Sequence, residues 1–416
     1  MWMLNEKPFY IFLYPNNETV AIPAALALFE RNGSLRVSYG KKYRERNNCE
    51  PIDPVLLPLY IKENILEEGC YGTIRDASLD YWGRLVISRM HKQDVNSLTE
   101  VDFLLYNHLE GIGNLDFRDS LQRDEADIKQ PMTEHLDILL NVARNIELGR
   151  DVDKRHLMLL VQGTGLGGSR PKCTIIHEGF PWLAKLPSVR DTYSNARVEM
   201  ATMMLAKECG ITVPEMQLLE VNGSDILLLK RFDRKHSKEG ISRLGYMSAL
   251  SICRTNEHDI FAYSYENIAG EMSRYCPSDV KEFFKRMVFN VLCRNTDDHP
   301  RNHGFLIENG DMRLSPAFDI TPTPSVEGIS TYVTQAMNVG EFGKVGSLDN
   351  IFSHAVKFGI NNDEAHSIVE EMLQDISQWE NVFEECGVKE EEVELFRYSF
   401  ERWNDNTFDD GNFISP

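Results

Sequence analysis

The segment Asn295–Asp319, reading NTDDHPRNHGFLIENGDMRLSPAFD, limits what this chain can fold into more than any other. It crowds carboxylates and amides beside two histidines. A helix is expected to deliver it, because Val280, Phe283, Phe284, Met287, Val288, Val291 and Leu292 recur at the spacing of one buried stripe, with Ser278 as N-cap. Behind Asn302 comes an apolar run, Gly304 to Ile307. Asn309-Gly310 is a hairpin signal, and Met312 to Leu314 runs back. Asp319 follows inside Ala317-Phe318-Asp319-Ile320. The plain alternative is an acidic surface loop, since Asp, Asn, Pro and Gly are turn residues.

Asp297 and Asn302 stand five positions apart, the D-x-x-x-x-N spacing of a kinase catalytic loop. Phosphoryl transfer asks little covalent chemistry of a protein. It needs hard oxygen ligands for magnesium, and a carboxylate beside the attacking hydroxyl that is held off the metal. Asn302 and Asp319 suit the first task, and Asp297 the second.

With 416 residues, the chain exceeds one typical core, so two or three subdomains are expected. Its 44 basic and 64 acidic side chains leave a formal charge of −20, which opposes direct, non-specific binding to nucleic acid or an anionic membrane. The eight cysteines are scattered with no C-x-x-C pair and read as reduced thiols. The opening MWMLNEKPFYIFLYP lacks the features of a signal peptide, and no stretch reaches the length of a membrane span. A cytoplasmic compartment is the expectation.

In chain order, Phe9–Tyr14, Thr19–Ile22 and Leu35–Tyr39 read as strands of a small β-rich entry domain, with turns at Pro15-Asn16-Asn17 and Asn32-Gly33. Residues 74–117, with Asp80-Tyr81-Trp82-Gly83-Arg84, read as scaffold, including a helix from Leu98. The charged stretch 119–129 is a plausible linker, and Glu134–Leu148 has helical spacing. Met158–Gln162 reads as a buried strand, followed by the glycine-rich loop Gly163-Thr164-Gly165-Leu166-Gly167-Gly168-Ser169 and a second strand, Cys173–His177. The loop is not a Walker A motif, because Ser169-Arg170 replaces Lys-Ser/Thr and Pro171 precedes a strand. A glycine-rich loop between strands can cover ATP phosphates with backbone N–H groups. Arg170 and Lys172 add positive charge there. Lys185 sits in an apolar strand, and Glu199, fourteen positions on, opens an apolar helix. A hairpin through Asn222-Gly223 then leads into Lys230-Arg231-Phe232, where a kinase hinge would offer backbone groups to adenine. From there the chain is expected to turn mainly helical, with helices at 349–358, 362–375 and 389–403.

Together the glycine-rich loop, Lys185, Glu199, Arg231-Phe232-Asp233-Arg234, the block Asn295-Thr296-Asp297-Asp298-His299-Pro300-Arg301-Asn302-His303-Gly304-Phe305 and Ser315-Pro316-Ala317-Phe318-Asp319 resemble the HipA family of serine/threonine kinases, toxins of bacterial toxin–antitoxin pairs. Arg75-Asp76-Ala77, Trp82-Gly83-Arg84 and Gly113-Asn114-Leu115-Asp116-Phe117 fit its N-terminal subdomain, so the resemblance runs over roughly residues 5–400. It implies an α+β, bilobed protein-kinase-like fold, with a β-rich N-terminal lobe and a mainly helical C-terminal lobe. The implied divisions are an N-terminal subdomain over 1–118, a linker and helix over 119–150, the ATP-binding remainder of the N-lobe over 151–232, and a helical lobe over 233–416. The cofactors implied are ATP and Mg2+. Asp297 would be the catalytic base, and Asn302 and Asp319 the metal ligands. Lys185, Gly165, Gly167, Gly168, Ser169, Lys172, Lys230, Arg231 and Phe232 would line the nucleotide, with Glu199, His299 and Arg301 in support. The implied partners are a protein substrate, an aminoacyl-tRNA synthetase being the best-known target, and a HipB-like helix-turn-helix antitoxin through which operator DNA is reached. No membrane is involved. Several members autophosphorylate a serine in the glycine-rich loop. That position falls near Thr164 and Gly165 here, so self-inactivation would have to use Thr164 or Ser169.

Three other readings stay open on the residues alone. They are a small-molecule or lipid phosphotransferase of the same fold, a pseudokinase that only binds its antitoxin, and a metal hydrolase using Asp297, Asp298, His299, His303 and Asp319.

Overall fold

The computed structural model describes residues 8–30, 34–66, 72–106, 110–122, 130–256, 259, 261–324 and 334–403. The Asn32-Gly33 turn, most of the charged linker and the C-terminal tail lie outside the described residues. The chain divides into two compact units. Unit 1 is Met1–Thr192 with Pro214–Glu257 and His303–Ser315, and unit 2 is Tyr193–Val213 with His258–Asn302 and Pro316–Pro416.

Every strand among the described residues belongs to unit 1. An antiparallel sheet joins β1 (Phe9–Leu13), β2 (Ile22–Phe29), β3 (Leu35–Tyr39), β4 (Glu63–Leu66) and β5 (Leu115–Arg118) in the order β4-β3-β2-β1-β5. Its buried face carries Phe9, Ile11, Val37 and Phe117. The strand expected at Thr19–Ile22 is instead the approach to β2, whose alanine-rich sequence hides the strand alternation. Helices α1 (Tyr81–His91), α2 (Leu136–Glu147) and α3 (Lys154–Gly163) pack on a second sheet. That sheet holds β6 (Lys172–His177), β7 (Phe180–Lys185), β8 (Met216–Val221) and β9 (Ser224–Lys230) in the order β6-β7-β9-β8.

Helix α3 corrects the strand expected at Met158–Gln162. The Asp153 carboxylate accepts from the N–H groups of Arg155 and His156, which caps a helix, and Leu157 and Leu160 bury one face of it. The glycine-rich loop therefore links a helix to a strand.

A second correction concerns the stretch beyond Asp233, which continues as strands rather than turning helical. β10 (Arg234–Ser237) and β11 (Gly240–Arg243) form a hairpin. β12 (Gly245–Ser248) then pairs with β13 (Gly304–Glu308), which pairs with β14 (Asp311–Leu314). The expected hairpin turns are present, with φ +52° and +72° at Asn222-Gly223 and +53° and +84° at Asn309-Gly310.

A buried ion cluster ties the two large sheets of unit 1 together. The Arg231 guanidinium donates to Glu110 at 3.0 Å and to Asp233 at 2.6 Å, and Arg234 donates to the same Asp233 oxygen at 2.6 Å. Gly113 adds its N–H to that carboxylate at 2.8 Å, and the carbonyls of Gly111 and Gly113 accept from Arg234. All four charged residues are buried. Burial alone would raise the Asp233 pKa, but the two guanidiniums outweigh it and hold the carboxyl well below the usual carboxylate range.

Unit 2, among its described residues, is helical. It contains α4 (Asn195–Glu208), α5 (Tyr265–Tyr275), α6 (Val280–Leu292), α7 (Asn362–Ile376) and α8 (Trp379–Glu385). The α6 stripe is buried as its spacing predicts. Ser278 is not its cap: a short 3-10 turn, Pro277–Asp279, precedes the helix, and the Ser278 hydroxyl donates to Asp279. The helix expected over 389–403 is broken into short pieces between Glu390 and Glu401, and α8 was not anticipated. Among the described residues, no helix is long and apolar enough to cross a membrane.

Replacing Asp233 with Asn should lower the unfolding free energy at pH 7 by about 3–5 kcal/mol, because two guanidiniums lose their shared partner. Asp233 contributes stability above the ordinary carboxylate pKa of roughly 4, and loses it as the pH falls through its depressed folded value. Urea unfolding of the two proteins should therefore converge as the pH is lowered below about 4.

Candidate active site

Unit 2 builds the acidic loop from the end of α6. Arg294 takes φ +59°, and the Asn295 N–H reaches back to the Asn290 carbonyl at 2.8 Å, which closes the helix as a Schellman turn without glycine. The Asn295 side chain also donates to that of Asn290, at 3.0 Å. The two aspartates that follow differ in setting. Asp297 is exposed and Asp298 is buried. Asp298 accepts the hydroxyl of Tyr265 from α5. Burial, reinforced by the Asp298 charge, pushes the Tyr265 phenol well above its ordinary pKa and keeps it a donor.

A 3-10 turn, Pro300–Asn302, then brings Asn302 back toward the start of the loop. Its N–H donates to the His299 carbonyl at 2.8 Å, and its side-chain Nδ2 donates to the Asp297 carbonyl at 3.2 Å. With the nitrogen engaged, Oδ1 is the atom of Asn302 left for a cation. Asp319 has a left-handed backbone, φ +55°, between buried Ala317 and Ile320. Such a conformation in a non-glycine residue persists only where the surroundings enforce it. Here the Thr323 N–H donates to the Arg294 carbonyl at 3.0 Å, the Thr296 and Thr323 hydroxyls lie 2.6 Å apart, and the Ala317 N–H donates to the Thr212 carbonyl at 2.8 Å. The Asp319 segment and the Asp297 loop are thus tied directly to each other. Glu199 is buried in α4 of the same unit. The N-terminal end of α4 is held by the Ser194 N–H on Glu392 at 3.0 Å and by Arg197 on the Cys386 carbonyl at 3.2 Å.

Unit 1 carries the expected nucleotide residues. Lys185 ends β7, half-buried, directly across from Lys172 of β6. Lys172 is buried and donates from Nζ to the Gly167 carbonyl at 2.8 Å. Gly168 takes φ +116°, and a Cβ there would lie 2.2 Å from the Lys172 ammonium. The Gly168 N–H donates to the Asp80 carboxylate at 2.8 Å, so that N–H does not face a nucleotide. Gly165 is buried, Gly167 and Ser169 are exposed, and Arg170 is paired with Asp191 at 2.6 Å. Thr164 is buried, with its hydroxyl donated to the Leu160 carbonyl at 2.9 Å, which makes it a helix-end group rather than a presented acceptor.

The hinge residues are placed differently from expectation. The N–H groups of Lys230 and Arg231 donate to the carbonyls of Glu215 and Pro181 at 2.9 and 3.1 Å. The Arg231 side chain belongs to the buried ion cluster, and Lys230 pairs with Glu215 at 2.6 Å. Adenine recognition by the N–H groups of 230 or 231 is therefore ruled out by the β-ladder.

Asn302 Oδ1 and the Asp319 carboxylate are hard oxygen donors of the kind magnesium takes, and the residues fit that ion. No group of three or more His, Cys, Asp or Glu side chains among the described residues is gathered as a metal site. On sequence alone no site role falls to Asp80, Trp82, Tyr265 or Thr323, the first two reading as scaffold. Their contacts bridge 88, 90, 33 and 27 positions, so no local pattern marks them.

Tyr265→Phe should cost about 1–3 kcal/mol in denaturant unfolding, because the buried Asp298 carboxylate loses the Tyr265 hydroxyl.

A family model described as the HipA-like C-terminal domain matches residues 164–380. Among curated proteins, "Putative kinase Y4dM" of Sinorhizobium fredii is 29% identical over 213 residues, covering 47% of this chain and 47% of its own length. A "Putative kinase" of Haemophilus influenzae is 28% identical over 191 residues, covering 40% of this chain and 55% of its own. The chain spans about half the length of the curated relatives it matches. Among solved structures, a chain of the Shewanella oneidensis MR-1 toxin–antitoxin complex of HipA, HipB and operator DNA shares the fold. Its TM-score is 0.65 at 14% identity, over 94% of this chain and 95% of that one. The match to the family model takes in more than half of the sequence, from the glycine-rich loop through Asp297, Asn302 and Asp319, and the chain belongs to the HipA-like family.

Proposed function

We propose that this protein is an ATP- and Mg2+-dependent kinase that phosphorylates a serine or threonine hydroxyl of a protein substrate. The observation that carries the reading is the frame of unit 2. An exposed Asp297 lies on a loop whose Asn302 is tied through nitrogen to the Asp297 carbonyl, and whose Thr296 and Arg294 hold the Asp319 segment. Asp297 would accept the hydroxyl proton of the substrate, a role that needs exposure and freedom from the metal. Asn302 Oδ1 and Asp319 would hold magnesium, which supplies charge neutralisation at the transferring phosphate. Lys185 would hold the ATP phosphates, beneath the loop from Gly165 to Lys172.

The toxin role belongs to the same proposal. The solved Shewanella complex pairs HipA with HipB on operator DNA, and this chain shares that fold. Its charge of −20 suits a protein that reaches DNA through a basic partner, here a HipB-like helix-turn-helix antitoxin, in the cytoplasm. A translation protein such as an aminoacyl-tRNA synthetase is the substrate class we favour. Ser169, exposed in the loop, is the better candidate for self-phosphorylation than buried Thr164.

Purified protein incubated with γ-labelled ATP and magnesium should label one protein of a cell extract. Asp297→Asn should lower the rate by about 10²–10⁴-fold while folding normally. Asp319→Gln should abolish magnesium-dependent labelling. Label appearing only on small molecules would replace the protein substrate with a metabolite. ATP binding without transfer would leave a pseudokinase.

A further inference from the structure

Asp80 is the N-cap residue of α1, yet its carboxylate makes no capping hydrogen bond there. An N-cap aspartate ordinarily accepts from an N–H of the first turn. Here the carboxylate reaches across 88 positions to the Gly168 N–H at 2.8 Å, while the Trp82 N–H, inside that first turn, donates to the Gly168 carbonyl at 3.2 Å. Gly168 is therefore gripped at both its N–H and its carbonyl by one helix start. Trp82 adds a third bond, from its indole Nε1 to the Lys172 carbonyl at 3.0 Å. The approach is close. A Cβ on Gly167 would lie 2.7 Å from the Asp80 carboxylate, and one on Gly168 would meet Lys172 at φ +116°. The two consecutive glycines are the residues that let the loop lie between an acid and a lysine.

We propose that Asp80 is a positioning residue for the nucleotide loop: by anchoring Gly168, it sets where the N–H groups of Leu166, Gly167, Ser169 and Arg170 can meet a nucleoside triphosphate. The inference rests on the kinase reading, but the clamp itself does not. A charge-assisted bond to a backbone N–H is stronger than a neutral one, and the loop gains it before any ligand arrives. Asp80 touches no reacting atom in this scheme. Its loss should act on nucleotide binding rather than on the chemical step.

Two measurements on the full-length chain test this. Hydrogen exchange of the peptide covering residues 164–171 should speed up in Asp80→Ala, with Asp80→Asn, which keeps an acceptor oxygen, in between. In the kinase assay, Asp80→Ala should raise KM for ATP by roughly tenfold and leave kcat within about twofold, since a contact made equally in ground and transition states appears in KM. Circular dichroism and melting confirm that each variant is folded. Unchanged loop exchange in both variants would overturn the clamp. Faster exchange with an unchanged KM for ATP, or an equal fall in kcat for both variants, would overturn the positioning role. A wild-type chain that binds no ATP would instead overturn the kinase reading, and it is told apart because loop exchange would still respond to Asp80.

Discussion

Four charged groups without access to water can persist only as a set, and unit 1 is organised around such a set. Glu110, Arg231, Asp233 and Arg234 each answer a neighbour, and the peptide groups of Gly111 and Gly113 answer the rest. Because Glu110 to Gly113 lead into β5 while Arg231 to Arg234 lead out of β9, the cluster fixes the entry sheet against the sheet of β6, β7, β9 and β8. It also changes what Arg231-Phe232-Asp233-Arg234 means. The motif marks a joint of the scaffold as much as a binding edge, and its arginine is unavailable to a ligand.

The elements that could be read from the sequence are those whose cause is local. The α6 stripe repeats at 3.6 residues, and the two Asn-Gly pairs carry their own left-handed turn chemistry, so helix and hairpins stand where the pattern put them. Met158–Gln162 failed because a short apolar run does not distinguish strand from buried helix; the deciding signal was Asp153, a cap five positions upstream. β10 and β11 failed for the opposite reason. Arg234-Lys235-His236-Ser237 has almost no apolar content, and it is held by pairing and by the buried ion cluster rather than by alternation. Within the candidate site, Asp297, Asn302 and Asp319 were visible as residue types at a spacing. The groups that orient them were not, since Tyr265, Thr323 and Thr212 come from elsewhere in the chain.

Two unlike devices keep the acidic loop rigid. One is the phenol of Tyr265, donated to the buried carboxylate of Asp298. The other is a pair of left-handed residues, Arg294 and Asp319, neither of them glycine. Strain at these positions is tolerated because Thr323 and Thr296 hold the two segments against each other. Of the two adjacent aspartates, Asp297 is the exposed one and Asp298 the buried one, a difference that identical side chains could not reveal.

The route of the backbone has a consequence for synthesis of the protein. Unit 1 starts near the N-terminus, but β12 pairs with β13, and β13 and β14 come from His303–Ser315. Unit 2 likewise needs α4, made early, and α7 and α8, made late. Unit 1 cannot close on the ribosome until Ser315, about three-quarters of the way along, has emerged, and unit 2 waits longer, for α7 and α8. Long-range pairing of this kind is slow and leaves apolar faces uncovered in the meantime. The nascent chain should therefore depend on chaperones until late in translation, with unit 2 the later of the two to close.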